Sequence, residues 1–170
     1  MINMKYTDYQ IVFREIPNEV TLAINISNCP NMCEGCHSPE LRKDIGENFN
    51  NIILEKLIKD NPGITCVCFM GGDRYWWYLK SLSTTIRSHG LKSAWYSGKD
   101  ELPNPNYCVY DKNKEWCDYY DYIKIGHYDK DKGPLDYKTT NQRLYEYKND
   151  YTEIVQGLGK GWKDITSKFW

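Results

Sequence analysis

The sequence predicts an α/β fold in one domain, residues 1–170, and three observations support it. Short apolar segments alternate with segments of helical periodicity, a pattern typical of parallel βαβ units. The predicted strands run into loops that are rich in cysteine or contain glycine. The chain has 170 residues, which is enough for one domain with a substantial core. We therefore expect the functional loops to meet at the carboxyl ends of parallel strands.

The elements follow in order along the chain. The predicted strands span residues 9–15, 20–26, 64–70, 91–97 and 121–126. A helix is predicted over residues 49–59 because Phe49, Ile52, Ile53 and Leu57 recur at helical spacing before an Asn-Pro-Gly stop. A second helix is predicted over residues 75–88 and closes at Gly90. From His127 onward the sequence is polar and aromatic, so we expect loops and short strands there.

Composition excludes several classes of protein. The net charge of −1 gives no basic field for nucleic acid. Residues 1–10 are polar and lack the apolar core of a signal peptide, and the longest apolar run is far shorter than a membrane span. We expect a soluble cytoplasmic protein without a membrane partner. The seven cysteines are an odd number, which argues against a fully paired disulfide framework and favours metal ligands or buried thiols.

Three of these cysteines, Cys29, Cys33 and Cys36, lie within eight residues in the spacing Cys-x3-Cys-x2-Cys. A structural zinc site usually has four protein ligands, whereas three thiolates on a tight loop suit a cubane iron–sulfur cluster with one iron left open. His37 follows directly and offers a fourth zinc ligand, although adjacent residues seldom both face one metal. From the spacing alone, structural zinc and an iron–sulfur cluster both stay open.

Read with two further motifs, the cysteine spacing resembles the cluster loop of radical S-adenosylmethionine (radical SAM) enzymes. The segment Met70-Gly71-Gly72-Asp73 is similar to the family's Gly-Gly-Glu/Asp segment after the second strand. The stretch 121–147, above all the run TTNQRLY at 139–145, resembles the activating proteins of anaerobic (class III) ribonucleotide reductase. The resemblance covers about residues 20–147. Residues 148–170 match nothing in the family and form a tail of unknown role.

The resemblance implies a partial, open (βα) barrel, since 170 residues cannot build a full one of about 250. It also implies an oxidoreductase that binds a 4Fe-4S cluster and S-adenosylmethionine. Such an enzyme accepts one electron, for example from flavodoxin or ferredoxin, and cleaves the cofactor to a 5′-deoxyadenosyl radical. That radical removes hydrogen from a glycine of the reductase large subunit. No acid–base pair or nucleophile is needed, so no catalytic residue is expected beyond the cluster ligands.

The residue roles follow by position. The resemblance makes Cys29, Cys33 and Cys36 the cluster ligands and places His37 near the adenosine. Gly71 and Gly72 would let the backbone approach the methionine part of the cofactor, Asp73 would accept from its amino group, and Ser97 would contact its carboxylate or ribose. Lys124 and Gly126 are further possible contacts. Arg74 stands where relatives often have proline, which is a departure from the family pattern.

Other interpretations remain beside this one. The chain is alternatively an activase of another glycyl radical enzyme such as pyruvate formate-lyase, or a non-enzymatic zinc-binding interaction module. Asp73 alternatively caps the following helix, and Ser97 lies in a simple turn. Cys66 and Cys68 alternate on an apolar strand and are expected to be buried thiols. Cys108 and Cys117 receive no role.

Overall fold

The structure, a computed structural model, describes residues 2–107 and 114–170. These residues form two α-helices, ten short strands and several 3₁₀ turns. In chain order the strands and helices are β1 (Lys5–Val12), β2 (Thr21–Ile26), β3 (Glu47–Asn48), α1 (Asn51–Asp60), β4 (Cys66–Gly71), α2 (Trp76–Ser88), β5 (Lys92–Tyr96), β6 (Tyr122–Ile125), β7 (Arg143–Tyr147), β8 (Ile154–Val155), β9 (Gly159–Lys160) and β10 (Trp162–Asp164).

Eight of the strands form one mixed sheet in the order β10-β7-β6-β5-β4-β2-β1-β3. Its centre is parallel, because β2, β4, β5 and β6 pair side by side in the same direction. The flanking strands β1, β3, β7 and β10 pair antiparallel. In the described part of the chain β3 and β10 end the row, so the sheet is open and the loops after the parallel strands lie along one edge.

The parallel core confirms the predicted βαβ order, with small shifts at the boundaries. The helix predicted at residues 49–59 begins after Asn50, whose side chain accepts a hydrogen bond from the Ile53 amide at 3.1 Å. Phe49 therefore precedes the helix, and its buried ring packs edge-on against Phe69 at 6.2 Å. The first strand runs from residue 5 to 12 instead of 9 to 15, and Ile16 beyond it turns inward and is fully buried.

The two helices cover one face of the sheet. Leu54, Leu57 and Ile58 of α1 are buried against it, as are Leu79, Leu82 and Ile86 of α2, which follow helical spacing. The strands contribute side chains that alternate toward this face, among them Ile24, Phe69, Trp95 and Ile123. This face holds the larger of the two apolar clusters. Removing these side chains from water favours the folded state.

The opposite face is covered by irregular segments. Cys66, Cys68, Ala94, Tyr122 and Leu144 point toward it. Ile16 from the β1–β2 connection and Ile165 from the tail pack over them and are buried. The tail is thus part of the domain: β10 pairs with β7, and the Ile165 amide donates to the Leu144 carbonyl at 2.9 Å. No helix of the described residues is long and apolar enough to cross a membrane.

Candidate functional site

A cavity of about 560 Å³ lies where the parallel strands end. Its volume is in the range of small-molecule and cofactor sites. Its wall brings together residues from the cysteine loop, from the ends of β4, β5 and β6, and from the C-terminal third. The wall includes Arg14, Glu15, Cys29, Asn31, Cys33, Cys36, His37, Arg42, Gly71, Asp73, Tyr96, Gly98, Lys124, Leu135, Asp136 and Phe169.

The cysteine loop begins where β2 leaves the sheet and is closed by short backbone hydrogen bonds. The Cys29 amide donates to the Leu41 carbonyl at 2.9 Å, and the Asn28 amide donates to the Lys43 carbonyl at 3.0 Å. Asn28 has a φ of 61°, the left-handed conformation that asparagine tolerates better than most residues. These bonds fix both ends of the loop and leave the segment between them to carry the three thiols.

All three loop cysteines are free thiols of intermediate exposure on the cavity wall. Among residues 2–107 and 114–170, no group of three His, Cys, Asp or Glu side chains is arranged so that it could hold a metal ion. The donor set still fits a cubane cluster, because it offers three thiols on one loop and metal binding commonly draws such ligands together. Burial, followed by the nearby Asp73 and the other two thiols, raises the pKa of Cys29.

Asp73 connects the three strand-end loops. The residue is buried, and its carboxylate accepts hydrogen bonds from the Ser97 hydroxyl, the Gly98 amide at 3.0 Å and the Asn31 side-chain amide at 2.6 Å. The alternative interpretation of Asp73 as the cap of the following helix is wrong, because Tyr75 takes the N-cap position of α2 and no side chain caps that helix. Asp73 therefore links the end of β4 to the end of β5 and to the cysteine loop.

The two glycines and the serine that the sequence predicts as cofactor contacts lie in different environments in the structure. Gly71 lies on the cavity wall, whereas a Cβ on Gly72 would approach Leu79 Cδ1 to 2.6 Å. A side chain at Gly72 would therefore crowd α2, and the φ of +83° at this position also favours glycine. Ser97 is fully buried, and its hydroxyl donates to Asp73 and accepts from the Lys99 amide at 3.0 Å. Ser97 therefore acts on the site through Asp73.

His37 lies on the exposed side of the cavity. Its ring meets the Tyr128 ring edge-on, with 4.8 Å between the ring centroids. Lys130 forms an ion pair with Glu34 on the same loop, so the segment after β6 contacts the cysteine loop at two points. An imidazole held in this way by a ring contact offers a flat surface for a planar ligand.

Lys124 brings a cation to the inner side of the cavity. Its ammonium donates to the Ser97 carbonyl at 3.2 Å and to the Gly126 carbonyl at 2.9 Å. Burial lowers the pKa of Lys124 to about 8, although Asp73 and Cys33 act in the opposite direction. An ammonium has three N–H donors, and among residues 2–107 and 114–170 two of them have acceptors, so one is left for an acceptor in the cavity.

Several wall residues were missed by sequence reasoning. Arg14 and Glu15 come from the β1–β2 connection, Tyr96 from the end of β5, and Leu135 from the segment after β6. Phe169 comes from the tail, to which the sequence assigns no role. The Tyr96 hydroxyl donates to the Glu15 carbonyl, which holds the β1–β2 connection over the cavity.

The remaining described cysteines lie away from the cavity wall. Cys66 and Cys68 have no exposed surface, which confirms the prediction of buried thiols. Cys117 is half-buried and free. Cys108 lies outside the described residues.

Searches of protein-family models, of curated proteins and of solved structures found no match for this chain.

Proposed function

We propose that this chain is a radical SAM activase, which generates a glycyl radical on the large subunit of anaerobic ribonucleotide reductase. The observation that carries the proposal is the shared cavity. The thiols of the Cys-x3-Cys-x2-Cys loop and the Gly71 and Asp73 end of β4 lie on the wall of one space of about 560 Å³. These motifs are 35 positions or more apart in sequence and meet through parallel strand pairing.

In this proposal Cys29, Cys33 and Cys36 hold a 4Fe-4S cluster. The chemistry that such a cluster supplies is the one-electron reductive cleavage of S-adenosylmethionine. The chain's own residues bind the cofactor, orient it and exclude water. The half-buried, apolar-lined position of the loop suits this task, because Leu135 and Phe169 belong to the same wall.

Two opposite charges suit the ends of an amino acid moiety. Asp73 keeps one acceptor position for an ammonium group, since within the described residues Oδ1 accepts from the Ser97 hydroxyl alone. Lys124 keeps one N–H for a carboxylate. Gly71 lies on the wall beside Asp73 and has no side chain to fill that space. Asp73, Gly71 and Lys124 are therefore the residues that we assign to the methionine part of the cofactor.

A substrate glycine has to reach the cavity from outside. Arg14, His37 and Asp136 belong to the wall and are exposed, so the cavity opens at the protein surface. A closed rim would contradict the proposal, because a glycine in a large partner protein cannot enter an enclosed space. The partial, open barrel of the radical SAM type is part of the same proposal.

The test is anaerobic reconstitution with iron and sulfide, followed by electron paramagnetic resonance (EPR) of the reduced protein. We expect a cluster signal that changes when S-adenosylmethionine is added. Uptake of zinc without such a signal would indicate the non-enzymatic zinc module instead. A second incubation, with purified anaerobic reductase or pyruvate formate-lyase, identifies the partner by which protein gains a glycyl radical signal.

A further inference from the structure

Arg42 lies beside the cysteine loop without being one of its ligands. It is the last residue of the 3₁₀ turn Pro39–Arg42, and its chain neighbours Leu41 and Lys43 accept the two backbone hydrogen bonds that close the loop. The backbone of Arg42 is thus fixed directly against the start of the loop. The residue also belongs to the cavity wall.

The guanidinium of Arg42 contacts the loop between its ligands. One terminal nitrogen donates to the Cys33 carbonyl. Nε is buried and has no hydrogen-bond partner within the described residues. A buried donor without a partner is uncommon in folded proteins, and this N–H can donate to an acceptor bound beside the loop. Because this side chain contacts the Cys33 backbone and lies on the same wall as the thiols, a group held by those thiols would lie close to its charge.

The charge of Arg42 is permanent. A guanidinium does not lose its proton in proteins, whereas Lys124 on the same wall has its pKa lowered to about 8. A cation fixed near a cluster favours the reduced form, which carries one more negative charge. Hydrogen bonds and charges around the ligands are among the factors that set cluster potentials.

We propose that Arg42 is a positioning residue that holds the Cys33 turn and keeps a fixed positive charge beside the thiolates, which raises the reduction potential of the bound cluster. This inference rests on the proposed function, because it requires that the loop bind an iron–sulfur cluster. It adds a residue outside the ligand set and outside the cofactor contacts named above.

The experiment compares R42Q, R42K and a matched control, R74Q. Arg74 also donates to a loop carbonyl, since its Nε bonds the Asn28 oxygen at 3.1 Å, but it is exposed and is not part of the cavity wall. Each protein is reconstituted anaerobically, and its cluster is titrated by EPR without S-adenosylmethionine. Iron content and thermal unfolding are measured on the same samples.

We expect R42Q to shift the potential to more negative values. At a fixed applied potential the ratio of reduced to oxidised cluster should fall about tenfold, which corresponds to about 59 mV for a one-electron couple. R42K should stay near wild type because it keeps the charge, and R74Q should not differ from wild type.

Equal potentials in R42Q, R42K and wild type would overturn the inference. If R42Q takes up no cluster, the result for R42K distinguishes the outcomes. An R42K protein that binds a cluster with the wild-type reduction potential supports the role of the charge. An R42K protein that binds no cluster overturns it. A wild-type protein that takes up zinc and no iron–sulfur cluster overturns the proposed function itself. A wild-type cluster signal that responds to S-adenosylmethionine, together with no effect of R42Q, overturns only the role of Arg42.

Discussion

Two groups of cysteines in this chain lie on neighbouring parts of the sheet and in different environments. Cys29, Cys33 and Cys36 follow β2 on the wall of the cavity and are partly exposed. Cys66 and Cys68 lie within β4, which pairs directly with β2, and both have 0% exposed surface. Burial raises the pKa of the Cys66 and Cys68 thiols, so both stay neutral at physiological pH.

The difference shows that position relative to the strand end decides what a close pair of thiols can do. Inside β4 the alternation of side chains sends Cys66 and Cys68 into the apolar cluster with Ala94 and Leu144. Burial there disfavours a thiolate, and this effect outweighs the nearby Lys92 and Lys124. Beyond the end of β2 the backbone leaves the sheet, and Cys33 points to a space that also holds Arg42 and Lys124.

Replacing a cysteine in each group should give the largest contrast. Cys33→Ala removes a proposed ligand, and we expect the iron content after anaerobic reconstitution to fall to near zero with loss of the EPR signal. Cys68→Ala removes only a buried sulfur and should keep full iron content, with a loss of about 1–2 kcal/mol in the free energy of unfolding. Iron analysis and urea unfolding of both variants measure the contrast. Full iron content in Cys33→Ala would contradict the ligand assignment.

Alkylation of the apo protein tests the same contrast without any metal. Under native conditions iodoacetamide should modify the loop cysteines at least about 100-fold faster than Cys66 and Cys68, because buried thiols react only when the strand opens. Mass spectrometry of the digested protein follows each peptide over time. In urea above the unfolding midpoint the two groups should react at similar rates. Rapid native labelling of Cys66 would show that β4 is not the protected strand described above.

Gly71 and Gly72 lie at the boundary between the two environments, and alanine at each should have a different consequence. Both have a left-handed φ, +82° and +83°, so each substitution carries strain of about 1–2 kcal/mol. At Gly72 the new Cβ also meets Leu79 at 2.6 Å, which adds an overpacking cost of about 1–3 kcal/mol. At Gly71 the nearest atom is the Ile26 carbonyl oxygen at 3.4 Å.

We therefore expect Gly72→Ala to destabilise the fold more than Gly71→Ala in urea unfolding. Gly71→Ala should instead weaken binding of S-adenosylmethionine to the reconstituted protein, since Gly71 lies on the cavity wall and Gly72 does not. Equal stability of the two variants would show that Leu79 moves aside without cost.

The sequence predicts the parallel centre of the fold well, because local patterns carry the necessary information. Apolar strands, helical periodicity and the Asn-Pro-Gly stop each depend on residues close together, and α1, β4, α2, β5 and β6 all lie within a few residues of their predicted bounds. Convergence of the cysteine loop with Gly71 and Asp73 follows from strand direction alone.

The features of the site that the sequence did not predict depend on contacts between distant segments. No local pattern shows that Phe169 of the tail joins the cavity wall or that Asn31 bonds Asp73. Ser97 was predicted to contact the cofactor directly, but it is fully buried and bonds Asp73. These assignments require the positions of at least two loops at once, which spacing within one segment does not give.

The pH dependence of Lys124 provides a test of whether the charged side of the cavity binds the cofactor. Its folded pKa is lowered to about 8 from 10.5, foremost by burial, while Asp73, Asp100 and the thiols of Cys33 and Cys36 oppose that effect. Between about pH 8 and 10.5 the unfolded chain therefore holds more protons than the folded chain. Stability contributed by this group rises with pH in that window, because the cost of burying the ammonium is relieved.

Binding of a carboxylate should show the opposite dependence on pH. Only the protonated form of Lys124 attracts the anion, so the affinity of the reconstituted protein for S-adenosylmethionine should fall as the pH rises through about 8. Lys124→Met should weaken binding at pH 7 by about tenfold, the loss expected for one hydrogen bond to a charged group, and should remove this dependence on pH. Calorimetry at pH 7 and 9 measures both effects. If Lys124→Met binds as tightly as wild type at pH 7, the ammonium is a structural bridge between Ser97 and Gly126, and the carboxylate of the cofactor is held by another group on the wall.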